Sequence, residues 1–140
     1  MMDLDIARAC AERMMHEDRA TRQMGIDIEI PSAGAAIATM TVEDEHLNGF
    51  GICHGGYLYA LADTAFAFAC NAYNDLSVAA SGQIDYLKPV NQGATLTATA
   101  SEDSHSGRQG FYTVQVVNDD DELVALFRGR SKSLSEPLLK

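Results

Sequence analysis

Basic residues are scarce in this chain and unevenly placed. Ten lysines and arginines stand against 20 aspartates and glutamates, which gives a formal net charge of −10. Nucleic-acid binding requires a basic surface that displaces counterions, so this charge argues against a nucleic-acid partner. After Arg22 no lysine or arginine occurs before Lys88. An anionic ligand would therefore meet the second half of the chain, where the ordinary alternative for each basic residue is a solubilising surface charge.

Cysteine and histidine patterns that hold disulfides or metals are also missing. Cys10, Cys53 and Cys70 are odd in number and have no C-x-x-C spacing, which favours reduced thiols. The four histidines include no pair at ligand spacing on one helix face, so we expect neither a metal nor another cofactor. The N-terminus, MMDLDIARAC, lacks a basic and then apolar leader, and no segment is apolar for long enough to span a membrane. We expect a cytoplasmic protein without a membrane partner.

One apolar stretch organises the rest of the chain. Residues 54–73, HGGYLYALADTAFAFACNAY, are rich in Ala, Leu and Phe and are too many for an ordinary strand, which predicts a buried helix. Gly55-Gly56 marks its start and Asn71 is typical of its end. Because this helix has no polar face, we expect protein to surround it.

The flanking segments predict one α+β domain over residues 1–140. Apolar spacings of three and four predict a surface helix within 1–22, GIDIEI and AAIATMTV predict a hairpin, and 43–53 predicts a loop. Four strand-like runs follow the central helix: SVAASGQIDYL, TLTATAS, FYTVQVV and LVALFRGRSKSL. No helical crossover demands a parallel sheet, so we expect a curved antiparallel sheet wrapped around one long helix. The tail, 135–140, is expected to be flexible.

Asp63 lies in the middle of this apolar helix. Burying a carboxylate without compensation costs several kcal/mol and raises its pKa, and such groups are often functional. The alternative is a structural aspartate that bonds to a backbone or hydroxyl group. From the sequence alone, a functional Asp63 and a structural Asp63 are equally well supported.

The start of the same helix is rich in hydrogen-bond donors. First-turn N–H groups are unbonded and lie at the positive end of the helix dipole, where they can stabilise a carbonyl oxygen that becomes negative. Gly55 and Gly56 would let a ligand approach this backbone closely. His54 is a catalytic or orienting imidazole, or a helix cap, and Asn48 is a donor to the same oxygen, or holds a turn.

A known family combines these features. His54-Gly55-Gly56 followed by Asp63 and Ser81, within LNGFGICHGGYLYALADTAFAFACN, ASGQIDYLKPVNQGATLTATA and VALFRGRSKSL, resembles the hotdog-fold acyl-CoA thioesterases, and among them the phenylacetic-acid-degradation (PaaI) thioesterases. The resemblance implies hydrolysis of aromatic acyl-CoA thioesters, phenylacetyl-CoA or its hydroxylated derivatives, to free acid and CoA in phenylacetate degradation. It also implies dimers, often paired into tetramers. A hotdog hydroxyacyl-CoA dehydratase or hydratase and a non-catalytic acyl-CoA-binding protein are the alternatives.

The resemblance also implies a role for each matched residue. Gly55 would polarise the thioester carbonyl through its N–H, Asp63 would be the general base or the nucleophile, and Ser81 would help to place the water. Asn48 and His54 would shape the carbonyl end of the site. The substrate and CoA contacts are expected from Gly56, Lys88, Arg128, Gly129 and Arg130.

Helix geometry adds a prediction about assembly. Gly55 and Asp63 are eight residues apart on one predicted helix, or about 12 Å at 1.5 Å per residue. Both cannot touch one thioester carbon, so we expect sites shared between the two subunits of a homodimer.

Overall fold

A computed structural model describes residues 3–139. Three helices, α1 (Asp3–Glu17), α2 (Arg19–Gln23) and α3 (Gly55–Cys70), accompany six strands, and a 3-10 turn, Asp44–His46, precedes α3. The strands are β1 (Asp27–Glu29), β2 (Ala35–Thr41), β3 (Ser77–Tyr86), β4 (Thr95–Ser106), β5 (Gln109–Val117) and β6 (Leu123–Ser133).

The six strands form one antiparallel sheet in the order β1-β2-β4-β5-β6-β3. Alternation decides which face of each strand meets the helix. In β4, Leu96, Ala98 and Ala100 are buried, whereas Thr95 and Thr99 are exposed. This confirms the predicted α+β class, the hairpin before α3 and the inward and outward faces of β4.

The central helix begins and ends where its sequence predicts. His54 is its N-cap and Asn71 its C-cap. Asn71 also joins the helix to β3, because its Nδ2 donates to the Ser77 carbonyl oxygen at 3.0 Å and its Oδ1 accepts from the Ser77 amide at 2.8 Å. These bonds satisfy a side chain that is only 4% exposed and fix where the edge strand begins.

The sheet covers one face of α3 and leaves the other partly exposed. Buried side chains recur at spacings of three and four, from Leu58 through Leu61, Ala65 and Phe68. Asp63 and its helix neighbours Ala60, Thr64 and Ala67 are only partly covered, whereas Ala62 is fully buried. The sequence predicts protein on every side of this helix, and within one chain the sheet supplies only part of that cover.

The N-terminal segment differs from the sequence prediction. The N-terminal helix breaks at Asp18, whose carboxylate accepts from the Thr21 amide at 2.9 Å and caps α2. The tail contacts the body of the chain: the Leu76 amide donates to the Glu136 carbonyl oxygen at 2.9 Å, and the Leu139 amide donates to Asn74 Oδ1 at 2.7 Å. Its flexibility stays a prediction. Lys140 lies outside the described residues.

Candidate functional site

The first turn of α3 presents a backbone donor to solvent. His54 caps the helix, and its Nδ1 accepts a hydrogen bond from the Gly56 amide at 2.8 Å. Since Nδ1 is the acceptor, the neutral ring carries its proton on Nε2. The Gly55 amide has no hydrogen-bond partner among residues 3–139. It is therefore available to an oxygen that gains negative charge during a reaction.

Asn48 organises the loop that leads into α3. Its side-chain Oδ1 accepts hydrogen bonds from the backbone amides of Phe50 at 2.9 Å and Ile52 at 3.3 Å. The backbone amide of Asn48 donates to the Ile52 carbonyl oxygen at 2.8 Å. The turn-holding role is thus present. Within the part of the chain that the structure describes, the Asn48 Nδ2 group has no acceptor, so it retains the donor capacity that the predicted role requires.

A pocket of about 290 Å³ opens beside these donors. Tyr86, at the end of β3, closes one side of it: the Tyr86 hydroxyl donates to the Gly55 carbonyl oxygen at 3.0 Å. A Cβ atom at Gly55 would lie 3.1 Å from the Tyr86 ring, so glycine makes this close approach possible. We call this space the entrance pocket; Asn48, Ile52, Gly55, Leu58, Tyr86 and Lys88 line it.

Lys88 is the one basic residue that lines the entrance pocket. Its ammonium group forms an ion pair with Glu122, and hydrogen bonding to Lys88 lowers the pKa of the Glu122 carboxyl. Both side chains are about half-exposed, so solvent screens this pair. Lys88 can exchange this partner for a ligand anion at small cost.

Asp63 lies two turns further along α3, on its half-exposed face. Burial raises the pKa of Asp63 above its ordinary value. Among residues 3–139 its carboxylate accepts no hydrogen bond and forms no ion pair, and the nearby Thr64 hydroxyl donates instead to the Ala60 carbonyl oxygen at 2.7 Å. Within one chain, the structural alternative therefore lacks its partner. A poorly solvated carboxylate of this kind is a stronger base than one in water.

Ser81, Arg128 and Arg130 lie on the face of the sheet opposite α3. Ser81 on β3 is the cross-strand partner of Arg130 on β6, and directly opposed residues share a face. Phe127, which has the other orientation on β6, is fully buried beneath α3. Together with Gln83, Asp103, Phe111 and Thr113 they line a pocket of about 570 Å³, which we call the outer pocket.

The position of Ser81 follows from an irregularity in β3. A β-bulge between Ala79 and Ser81 places two residues of β3 against one of β6. One extra residue reverses which face every later side chain occupies. Within one chain Ser81 is therefore beside Arg130 and is not brought to Asp63.

Gly129 separates the two arginines but faces the helix. A Cβ atom there would lie 2.9 Å from the rings of Phe66 and Phe127. Gly129 thus makes room for aromatic packing between α3 and β6. Its predicted contact with CoA stays a prediction.

The structure therefore sorts the predicted residues into three places. Asn48, Gly55 and Lys88 share the entrance pocket, with the His54-Gly56 cap beside it. Ser81, Arg128, Gly129 and Arg130 share the outer pocket, and Asp63 lies apart on the helix face.

Two tyrosines that border these surfaces have no signal in the local sequence. Tyr86 contacts Gly55 across 31 residues of chain, and Tyr59 reaches Gly82 on the neighbouring edge strand. Each tyrosine is locally an ordinary aromatic residue of a strand or helix. Only the packing of α3 on β3 reveals the contacts.

Other site chemistries find no counterpart within residues 3–139. No group of three or more His, Cys, Asp or Glu side chains in that range is placed to hold a metal ion, and no helix there is both long and apolar enough to cross a membrane. Cys10, Cys53 and Cys70 are buried free thiols, and burial raises the pKa of Cys53 to about 11. A thiol that stays protonated is a poor nucleophile.

Comparison with known proteins gives concordant matches. Residues 50–125 match the thioesterase superfamily. Acyl-coenzyme A thioesterase PaaI of Escherichia coli strain K12 is 48% identical over 122 residues, which are 86% of each chain. The solved structure of the E. coli PaaI protein from the phenylacetic acid degradation operon superposes with a TM-score of 0.95 at 41% identity, and the match covers 97% of this chain and 99% of that one. A mutant of phenylacetic acid degradation protein PaaI from Thermus thermophilus gives a TM-score of 0.80 at 39% identity, over 84% of this chain and 100% of the other.

Proposed function

Since the chain belongs to the thioesterase superfamily and has its hotdog fold, we propose that it hydrolyses aromatic acyl-CoA thioesters to the free acid and CoA. The preferred substrates are phenylacetyl-CoA or its hydroxylated derivatives, in phenylacetate degradation in the cytoplasm. The operon named for the E. coli structural relative supports this pathway. The observation that carries the mechanism is an available first-turn amide at Gly55 on the same helix as a half-buried, unpaired Asp63 carboxylate.

The reaction needs two things that α3 offers. Attack on the thioester carbon pushes negative charge onto the carbonyl oxygen, and the Gly55 N–H at the helix start stabilises that charge. The Asp63 carboxylate attacks the carbon itself, or takes a proton from the water that attacks it. The C–S bond then breaks, and CoA leaves as a thiolate. If Asp63 attacked, water next hydrolyses the acyl–Asp63 anhydride, which frees the acid, restores the carboxylate and supplies the proton to the thiolate. If water attacked, the free acid forms directly and the proton taken by Asp63 passes to the thiolate. Asn48 and His54 complete the carbonyl end through Nδ2 and Nε2.

One site draws these groups from two subunits. β3 is a ten-residue edge strand whose outer edge is unpaired within residues 3–139, and Val78 and Tyr86 on it are 45% and 53% exposed. Such an edge is a template for pairing with another strand. Pairing two β3 edges about a two-fold axis sets the α3 helices antiparallel, so that Gly55 can face the partner subunit's Asp63. We further propose that these dimers pair into tetramers, which sedimentation equilibrium measures directly.

The polyanionic end of CoA needs cations. Arg128 and Arg130 line the outer pocket, and neither forms an ion pair among residues 3–139. Arg108, by contrast, donates to the Ser133 carbonyl oxygen at 3.1 Å. The first two arginines are therefore the better candidates for the phosphates, with Lys88 at the entrance pocket as a third contact.

A thiol-release assay tests the function. The panel contains aryl, arylacetyl and straight-chain acyl-CoAs, and the variant Asp63→Asn keeps the side-chain shape while removing the charge. Because a general base or nucleophile contributes at least ~10²-fold, Asp63→Asn should lose most turnover on every good substrate and still bind it. Asp120→Asn, at an exposed hairpin tip, is the matched control and should keep wild-type turnover.

Three results would replace the proposal. Wild-type turnover in Asp63→Asn would remove Asp63 from the chemistry. Loss of enoyl-CoA absorbance without thiol release would make the protein a hydratase, and equilibrium binding of acyl-CoA without any turnover would make it a binding protein.

A further inference from the structure

Tyr59 is a side chain of α3 to which the proposed reaction assigns no part. It lies four residues before Asp63, and residues at this spacing are neighbours on a helix surface. Its half-buried ring packs edge-on against Phe127, with centroids 5.3 Å apart and planes at 79°. The packing fixes the ring, and with it the position of the hydroxyl.

The Tyr59 hydroxyl fills space that a glycine leaves open. Gly82 on β3 and Gly129 on β6 are cross-strand partners on the face toward the helix. A Cβ atom at Gly82 would overlap the Tyr59 hydroxyl oxygen and would lie 3.2 Å from the Phe127 ring. The hydroxyl therefore lies directly against the edge strand, and a side chain at position 82 would displace it.

Tyr59 and Tyr57 are the two tyrosines whose hydroxyls have no hydrogen-bond partner among residues 3–139. The Tyr86 hydroxyl donates to a backbone carbonyl oxygen and the Tyr112 hydroxyl to a carboxylate. Because no buried polar side-chain atom in the described part of the chain lacks a partner, the unpaired Tyr59 hydroxyl remains in contact with solvent and is open to a ligand. Tyr59 and Asp63 are thus two unpaired polar groups one turn apart on α3, and both are only partly covered within one chain.

We propose that Tyr59 determines acyl-group specificity by hydrogen-bonding a hydroxyl substituent on the aromatic ring of the substrate. This inference rests on the proposed function and adds a contact to the same site. Asp63 works at the thioester carbon, and Tyr59 is about 6 Å nearer to the start of the helix along its axis, a distance that an arylacetyl group spans. The Tyr59 hydroxyl can donate to, or accept from, a ring hydroxyl.

The experiment compares kcat/KM for phenylacetyl-CoA with that for its 2-, 3- and 4-hydroxy derivatives. Tyr59→Phe should lower kcat/KM for at least one hydroxylated thioester by about 2- to 13-fold relative to phenylacetyl-CoA, as loss of one neutral hydrogen bond predicts. Tyr73→Phe is the matched control, because it also removes one hydroxyl but lies beyond the far end of α3. Its substrate ratios should equal those of the wild type.

A second variant approaches the same hydroxyl from the strand. Gly82→Ala places a methyl group where the Tyr59 hydroxyl lies, so it should reduce the preference for the hydroxylated substrate in wild type. In the Tyr59→Phe background it should change the ratio much less, since the displaced group is already gone. Additive effects of the two substitutions would contradict the shared mechanism.

Unchanged ratios in Tyr59→Phe for all three hydroxylated substrates overturn the inference while leaving the thioesterase function intact. If the wild type releases no thiol from any substrate, the proposed function fails instead. The inference is then decided by the equilibrium affinities of the corresponding thioether analogues. A 2- to 13-fold loss confined to a hydroxylated analogue in Tyr59→Phe supports it, and equal affinities refute it.

Discussion

Complementation between two inactive variants tests whether one site needs two chains. Gly55→Pro removes the N–H of the first residue of α3, a position where proline fits a helix. The residue before it is already suitable, since His54 has φ −61° and ψ 134°, the extended conformation that precedes proline. Asp63→Asn removes the carboxylate. Neither substitution cuts an internal hydrogen bond among residues 3–139.

The expected losses of activity follow from the roles proposed for Gly55 and Asp63. Loss of one oxyanion donor costs about 10²–10³ in kcat, and loss of the base or nucleophile costs at least ~10². Each variant alone should therefore be nearly inactive. In a mixed dimer one site combines the intact Gly55 of one chain with the intact Asp63 of the other. Random equimolar mixing makes half of the dimers hybrid with one good site in two, so activity should recover to about a quarter of wild type.

Gly55→Ala separates the loss of the N–H from steric effects. It keeps the amide and adds a Cβ atom 3.1 Å from the Tyr86 ring, which is 53% exposed and free to shift outward. We expect Gly55→Ala to be far more active than Gly55→Pro. Thiol release is measured before and after subunit exchange, and mass spectrometry of differently tagged chains reports the hybrids. A mixture of folded, exchanged chains that stays as inactive as its parents would refute the shared site.

Three further outcomes are expected. Neutralising Arg128 or Arg130 with glutamine should raise KM for acyl-CoA more than it lowers kcat, and added salt should imitate this in steady-state assays; unchanged KM in both variants would move the phosphates elsewhere. Because burial raises the folded-state pKa of Asp63, its ionised form and the activity should be lost as pH falls through a value above the ordinary 3.8, and a kcat/KM profile with its acid limb at or below 3.8 would contradict this. Gly129→Ala places a Cβ atom 2.9 Å from Phe66, so it should destabilise the fold by about 1–3 kcal/mol in urea unfolding with little change in KM, whereas a large KM effect in a stable variant would favour a CoA contact.

The sequence predicts the elements whose signals are local. The α3 helix is bounded by His54-Gly55-Gly56 and Asn71, and both ends lie where those residues place them. The strict alternation of threonine with apolar residues in TLTATAS gives the faces of β4 correctly. Capping and alternation act within a few residues, so a single sequence displays them. The helix break at Asp18 also has a local signal. An aspartate at the N-cap accepts a hydrogen bond from the amide three residues later, as Asp18 does from Thr21.

The sequence proposes candidate site residues, but it does not predict where the fold places them. The side chain of Ser81 changes face because of a one-residue bulge, and no propensity marks which residue of SVAASGQ is the extra one. The Tyr86 contact with Gly55 and the Tyr59 contact with Gly82 join segments that are distant in sequence. Such contacts depend on how the helix packs on the sheet, which only the three-dimensional structure supplies.

A single subunit leaves two features without a partner, and they lie side by side. One is the edge strand β3, with Val78 and Tyr86 exposed on it, and the other is the half-exposed face of α3, where Asp63 accepts no hydrogen bond within residues 3–139. An exposed edge invites pairing, and a half-buried carboxylate is destabilising while it stays unpaired. Because α3 packs against β3 through Tyr59 and Gly82, the proposed second subunit would cover the helix face when it pairs with the strand. In the proposed dimer, association and catalysis would be coupled through the same contact, and a carboxylate that weakens the single chain would become the reacting group of the assembled one.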